Sequence, residues 1–289
     1  MSAQMLNILE KPNMKNPTLL LGFSGWMNGG EVSTGTVQWL IEDSRAREIA
    51  EINPEGFYIY NFPGTMETTT LFRPHTRIVD GVVAEYQTPE NVFYYDDSKD
   101  LVLFSGKEPN LNWEGFADCI FEFCEVFGIE QIVFIGSVAG LVPHTRDPSM
   151  FFSVSDENLR SELKDQGFSM SEYEGPASFT TYLAAECPAR NKKMVNVVAA
   201  VPAYVQGENP KCIEAVLRNL TRVMDVKINL HDLRFLSDEF EKRLTEAVKE
   251  VPELSENIGK LEQMYDKEII DHEMGDLKRW LENRGVSLD

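Results

Sequence analysis

Between Thr18 and Met224 short apolar runs alternate with longer stretches of helical period, and that alternation leaves few folds open to the chain. Thr18-Leu-Leu-Leu-Gly-Phe23 is apolar without alternation, as a strand buried on both faces must be. A glycine-rich loop, Ser24-Gly-Trp-Met-Asn-Gly-Gly30, leads into Glu31–Ile41, where Val32, Gly35, Thr36 and Trp39-Leu40 recur at helical spacing. Phe57–Asn61, Asp100–Ser105, Gln131–Ile135 and Met194–Val201 read as four further core strands. Asn112–Phe127 carries Trp113, Phe116, Ala117, Ile120, Phe123-Cys124 and Phe127 on one stripe and stops at Gly128. Further helices are expected over Asp156–Gln166, capped by Ser155 and closed by Gly167, over Phe179–Cys187, and from Pro210 to Met224. Strands alternating with helices of this length predict an α/β fold: a three-layer α/β/α core around a mostly parallel sheet.

Two regions break the alternation. Within residues 66–96, Thr68–Phe72 and Gly81–Gln87 read as extended around the turn pair Asp80-Gly81, and Val92-Phe-Tyr-Tyr95 adds a β segment. The expectation is an insertion made of a hairpin and an edge strand. Exposed Phe72, Val82, Val83, Tyr86 and Phe93 would need cover there, which predicts a homo-oligomer interface. Beyond Asp232 only helical stripes remain: Leu236, Phe240, Leu244 and Val248, then Leu254, Ile258, Leu261 and Tyr265, then Met274, Leu277 and Leu281. Residues 1–230 are therefore read as the core domain and 231–289 as a helical C-terminal lid.

Charge narrows the partners. A net charge of −20 repels phosphate backbones and anionic lipids, so neither nucleic acid nor membrane is an expected partner. That charge serves solubility, or alternatively a docking surface for a basic partner. No apolar run is long enough for a membrane helix, and residues 1–12 do not read as a signal peptide, so a cytoplasmic location is expected. Cys119, Cys124, Cys187 and Cys212 form no Cys-x-x-Cys pair and suit reduced, buried thiols. His75, His144, His231 and His272 form no compact ligand set, so no metal or other cofactor is expected.

Three loops could carry chemistry. Gly22-Phe-Ser-Gly-Trp-Met-Asn-Gly-Gly30 lies between a strand and a helix start, where backbone N–H groups can approach an anion; a tight turn without ligand explains it equally. It matches neither a dinucleotide nor a phosphate-loop spacing, nor the Gly-x-Ser-x-Gly of a hydrolase elbow. Gly136–Pro148 follows a core strand and offers His144, Thr145 and Arg146, a proton carrier and a bidentate anion grip. The alternative pairs Arg146 with Asp147 structurally. The same Pro-His-Thr-Arg recurs at Pro74–Arg77, by chance or to bring His75 and Arg77 to another subunit's pocket. Gly175-Pro176 and Tyr204 belong to the third pair of loops, where Tyr204 could stack on a planar ligand or be an ordinary buried tyrosine. The candidate ligand site thus comprises Ser24, Gly25, Trp26, Asn28, Gly29, Gly30, His144, Thr145, Arg146, Gly175, Pro176 and Tyr204.

These four motifs in this order, namely Gly25-Trp26 with Gly29-Gly30, Pro143–Arg146, Gly175-Pro176, and Val201-Pro202 with Tyr204-Val205, resemble the proteasome assembly chaperone two family. The resemblance runs from residue 18 to about 230. It implies a three-layer core like that of nucleoside phosphorylases and peptidyl-tRNA hydrolases. For bacterial-type members it implies a β-hairpin insertion used in oligomerisation, often trimeric, and a C-terminal helical lid over a ligand pocket. The chain departs from the pattern at Ala177-Ser178-Phe179, where a further small residue and a glycine are often found. It ends in Gly285-Val-Ser-Leu-Asp289, without the hydrophobic–tyrosine–any tripeptide used for proteasome docking.

Two readings of function stand. One is a non-catalytic assembly or binding protein, self-associating, with a protein partner or a small anionic ligand. The other is a hydrolase or phosphorylase-like enzyme using Ser24, His144 and Arg146, favoured by a fold shared with enzymes. No base is matched to a nucleophile by position, and this favours the first.

Overall fold

The structure is a computed structural model and describes residues 5–282 apart from 71, 167 and 225. In chain order it contains β1 (Leu6–Ile8), β2 (Thr18–Ser24), α1 (Val32–Ser44), β3 (Arg47–Ile52), α2 (Met66–Thr70), β4 (His75–Val79) and β5 (Val82–Gln87). There follow β6 (Val92–Asp96), β7 (Leu101–Lys107), α3 (Trp113–Phe127), β8 (Gln131–Gly140), β9 (Met150–Val154), α4 (Glu157–Asp165) and α5 (Phe179–Glu186). β10 (Lys193–Pro202), α6 (Pro210–Val223), α7 (His231–Lys249) and α8 (Pro252–Glu282) complete it.

Eight strands form one sheet in the order β1-β3-β6-β7-β2-β8-β10-β9. Its centre, β7-β2-β8-β10, is parallel, because each of these strands is followed by a helical crossover or by a long connection. The margins are antiparallel, as the tight turn between β6 and β7 requires. Side chains of β2 alternate between two cores. Leu19, Leu21 and Phe23 pack with Phe116, Ile120 and Phe123 of α3 and Phe179 and Leu183 of α5. Leu20 packs with Val37 and Leu40 of α1 and with Ile213, Val216 and Leu217 of α6. Each such leucine contributes about 1.5–3 kcal/mol by leaving water, and both faces of β2 do so. The result is the expected three-layer α/β/α core. Against α6 packs α7, and against α7 packs α8.

Several local expectations are corrected. Phe57–Asn61 is not a strand. Phe57 packs edge-on to Phe116 at 5.0 Å, and the Tyr58 hydroxyl bonds Asn91 Oδ1 at 2.7 Å, so these two side chains are buried from a loop whose Tyr60 and Asn61 are exposed. The strand nearby is β3. Thr68–Phe72 is not extended: Met66–Thr70 is a short helix, its Thr69 and Thr70 hydroxyls turned back onto carbonyls one turn earlier. The hairpin itself is β4–β5, closed by Asp80 and Gly81 with φ of 49° and 80°, as a two-residue turn with both residues left-handed requires. Val92–Tyr95 is no edge of an insertion, because β6 lies inside the main sheet between β3 and β7. Asp156, not Ser155, caps α4, accepting from the amides of Asn158 and Leu159, while Ser155 Oγ accepts from Met194 N. The expected closure at Gly167 lies outside the described residues. On α7 the buried face is Leu233, Ser237 and Val248, and Leu236 is exposed. The stripe of Met274, Leu277 and Leu281 falls on side chains outside the described ones.

Candidate functional site

The Ser24–Gly30 loop packs along the last residues of β8, at the carboxyl end of the parallel strands. β2 and β8 pair as far as Gly22 and Ile135; beyond that the loop takes over the contact to β8. Ser137 N donates to Met27 O at 2.9 Å and Ser137 Oγ to Gly29 O at 2.7 Å. Asn28 Oδ1 accepts from Thr34 N at 3.1 Å, which ties the loop to the first turn of α1. Gly30 has φ 59°, and a Cβ there would lie 2.9 Å from Val201 Cγ1, so both conformation and space demand glycine. From the far side Glu108 holds two elements at once: its carboxylate accepts from Trp26 N at 2.8 Å and from Phe179 N at 2.9 Å, at the start of α5. Sequence reading missed Glu108, since an acidic residue just past a strand carries no pattern.

This rigid loop forms one wall of a cleft of about 750 Å³. Of the candidate residues, Gly25, Trp26, Asn28, Gly29 and Pro176 line it. Gly30 and Gly175 support it from outside; the place of a Cβ on Gly175 is filled by the Tyr173 hydroxyl at 2.5 Å. Ser24 turns away, its Oγ 3.5 Å from Gly106 O. Phe151 and Tyr173, which the sequence did not single out, add aromatic side chains to its lining.

His144, Thr145, Arg146 and Tyr204 form a separate cluster, and their partners are the C-terminal helices. The Tyr204 oxygen accepts from His144 N at 2.8 Å and lies 2.9 Å from His144 Nδ1. The other ring nitrogen, Nε2, lies 3.1 Å from Thr245 Oγ1 of α7, so both sides of the ring are hydrogen-bonded. Thr145 Oγ1 donates to Glu262 of α8. Arg146 grips Asp266 of α8 with both arms, Nε to Oδ1 at 2.7 Å and Nη2 to Oδ2 at 2.8 Å, with Glu262 at 3.5 Å. The anion expected opposite Arg146 is thus the chain's own helix, and Asp147, expected as its alternative partner, pairs instead with Arg218 at 2.7 Å. Tyr265 donates to Asp147 O at 2.7 Å, and Lys211 bridges His144 O at 2.6 Å and Glu241 of α7. The Pro-His-Thr-Arg loop latches α7 and α8 onto the core.

Electrostatics agree with these roles. Burial first, and the nearby Lys211 charge second, push the His144 imidazole below its ordinary range. Arg146 is held charged by its bond to Asp266, whose carboxyl is lowered in turn. Burial raises the thiols of Cys124, Cys187 and Cys212 to about 12, so they are not nucleophiles at neutral pH. Among the described residues no group of three or more His, Cys, Asp and Glu could hold a metal ion, and no helix is long and apolar enough to cross a membrane. The second Pro-His-Thr-Arg lies on β4, where Arg77 pairs across the hairpin with Glu85 at 3.0 Å.

A model of the PAC2 family matches residues 22–248, from the end of β2 to the end of α7, and the chain belongs to that family. Among solved structures it is similar to a proteasome-assembly chaperone homologue of Mycobacterium tuberculosis, at 29% identity over 83% of this chain and 99% of that one, with a TM-score of 0.73. A PAC2 family protein from Streptomyces avermitilis is 26% identical over 83% of this chain and 99% of that one, with a TM-score of 0.71. A Mycobacterium tuberculosis protein of unknown function covers 96% of this chain and 94% of its own at 21% identity, with a TM-score of 0.81, and shares the fold. The curated proteins give no match.

Proposed function

We propose that this chain is a non-catalytic, self-associating binding protein of the assembly-chaperone kind, working in the cytoplasm. The observation that carries this reading is the β4–β5 hairpin. Ile78, Val79, Val82, Val83 and Tyr86 are between 44% and 68% exposed on it. Ile78 pairs with Val83 and Val79 with Val82, so apolar side chains stand on both faces of a two-stranded ribbon. Such a ribbon is marginal alone in water and is stabilised by cover, which a second and third copy of the chain supply. Further support is that the groups best able to do chemistry have structural partners: both ring nitrogens of His144, both arms of Arg146, and the Ser24 hydroxyl, which faces Gly106 O. The Mycobacterium tuberculosis relative named as a proteasome-assembly chaperone homologue points the same way. The cleft beside Trp26 is the binding site this reading assigns.

Sedimentation velocity at micromolar concentration tests the reading. The wild type is expected to run as an oligomer, with three chains the form the family resemblance suggests. The Val82→Asp, Val83→Asp double variant is expected to run as one chain with an unchanged circular dichroism spectrum. A wild type that sediments as one chain overturns the self-association.

A further inference from the structure

The cleft at the carboxyl end of the sheet has a polarity of its own. Trp26 is 68% exposed and Tyr173 73%. Trp26 N is held by Glu108, and the Tyr173 hydroxyl donates to Pro176 O at 3.1 Å. Two large rings therefore face water, the usual mark of a contact surface, where tryptophan and tyrosine concentrate binding energy. Among the described residues no lysine or arginine lines the cleft, and Glu172 does.

The hydroxyls in the cleft sharpen this. Ser137 Oγ spends its proton on Gly29 O, and Ser171 Oγ spends its proton on Phe152 O at 3.2 Å. What both still offer the cleft is lone pairs. The start of α5 offers no anion site, because Phe179 N is taken by Glu108 and Thr181 N by Ser178 Oγ. Exposed aromatic faces and one carboxylate, with no basic side chain among the described lining residues, suit a cationic donor: an ammonium or a guanidinium. The shape decides the source. Small-molecule sites bury most of their ligand, whereas rims left two-thirds exposed suit a length of chain laid across them.

We propose that this cleft receives a basic segment of a partner protein, with an arginine or lysine side chain over the exposed rings of Trp26 and Tyr173 and its charge facing Glu172. The net charge of −20 draws such a segment in. The proposal rests on the binding-protein reading and names the chemistry of its ligand, but it is independent of the hairpin.

The test is fluorescence anisotropy with short labelled peptides that carry arginine, citrulline or glutamate in one alanine–serine background. Any cation is attracted weakly by so acidic a chain, so the charge-neutral Trp26→Ala variant is the deciding arm. The arginine peptide is expected to bind saturably, to weaken as salt rises, and to lose about threefold or more in affinity on Trp26→Ala and on Glu172→Gln. Citrulline and glutamate peptides are expected not to saturate. Trp26→Ala should melt like the wild type, its ring being largely outside the core. The proposal is overturned if no arginine peptide saturates, if citrulline binds as well as arginine, or if Trp26→Ala binds like the wild type. Competition by arginine amide at the same concentration as the peptide would also overturn it, in favour of a small-molecule pocket. The Val82→Asp, Val83→Asp variant keeps the peptide binding if this account is right, so loss of self-association and loss of the cleft are read separately.

Discussion

Removing the hydroxyl of Tyr204 separates the two roles open to that residue. Tyr204→Phe keeps the ring, so stacking on a ligand would survive, but it removes the atom that serves His144 twice. His144 is 3% exposed, and the change leaves its backbone N–H at 2.8 Å and its Nδ1 at 2.9 Å without a partner. An unpaired buried donor costs about 1–3 kcal/mol, and the lost bond to the ring about 1 kcal/mol more. Tyr204 is itself half-buried, so water reaches the gap and the lower end applies, about 2 kcal/mol. For a chain of this size that lowers Tm by about 3–4 °C, measured by scanning calorimetry. Amide exchange on α7 should rise in step, because the other nitrogen of the same ring holds Thr245. A Tm within about 1 °C of the wild type, a change too small for an unpaired buried donor, would refute the latch.

Protonation acts on the same point. His144 titrates below its ordinary 6.5 in the folded chain, so the unfolded chain binds the extra proton first. Its contribution is full above about pH 6.5 and is lost as pH falls from there toward the lowered folded value, and a His144→Gln variant should lack that part of the unfolding curve's pH dependence. Arg146→Ala should speed trypsin cleavage and amide exchange in α8 while the sheet stays protected, and high salt should reproduce part of that loosening in the wild type. Gly22→Ala places a methyl 2.6 Å from Val37 Cγ2 and 2.7 Å from Ser33 O, where α1 lies against β2; overpacking of about 1–3 kcal/mol should appear as a lower Tm in the calorimeter.

What could be read from the sequence was what is local and periodic. β2, α3 and α6 announce themselves because burial on one stripe or on both faces dictates an apolar pattern, and the Asp80-Gly81 turn because few residues accept its backbone. β3 was missed because Arg47, Glu48 and Glu51 break its apolar pattern, and Phe57 misled because a buried loop can be as apolar as a strand. Gly25, Trp26, Asn28, Gly29 and Pro176, singled out by their loops in the sequence, lie along one cleft. The fate of Arg146 was not, since its partner Asp266 lies 120 residues away on a helix whose docking no local pattern encodes. Glu108 was invisible for the same reason, its two partners lying 82 residues before it and 71 after it.

The claim at the centre of this account is that the hairpin is covered by other copies of the chain, and hydrogen exchange of Ile78–Tyr86 measures that cover directly. An isolated two-stranded ribbon opens easily, so any strong protection there must come from a partner. Exchange is followed at nanomolar and at micromolar protein, with β8 as an internal reference. The account predicts hairpin amides that exchange freely when dilute and become protected when concentrated, while β8 is unchanged. Hairpin amides that exchange equally fast at both concentrations would contradict it.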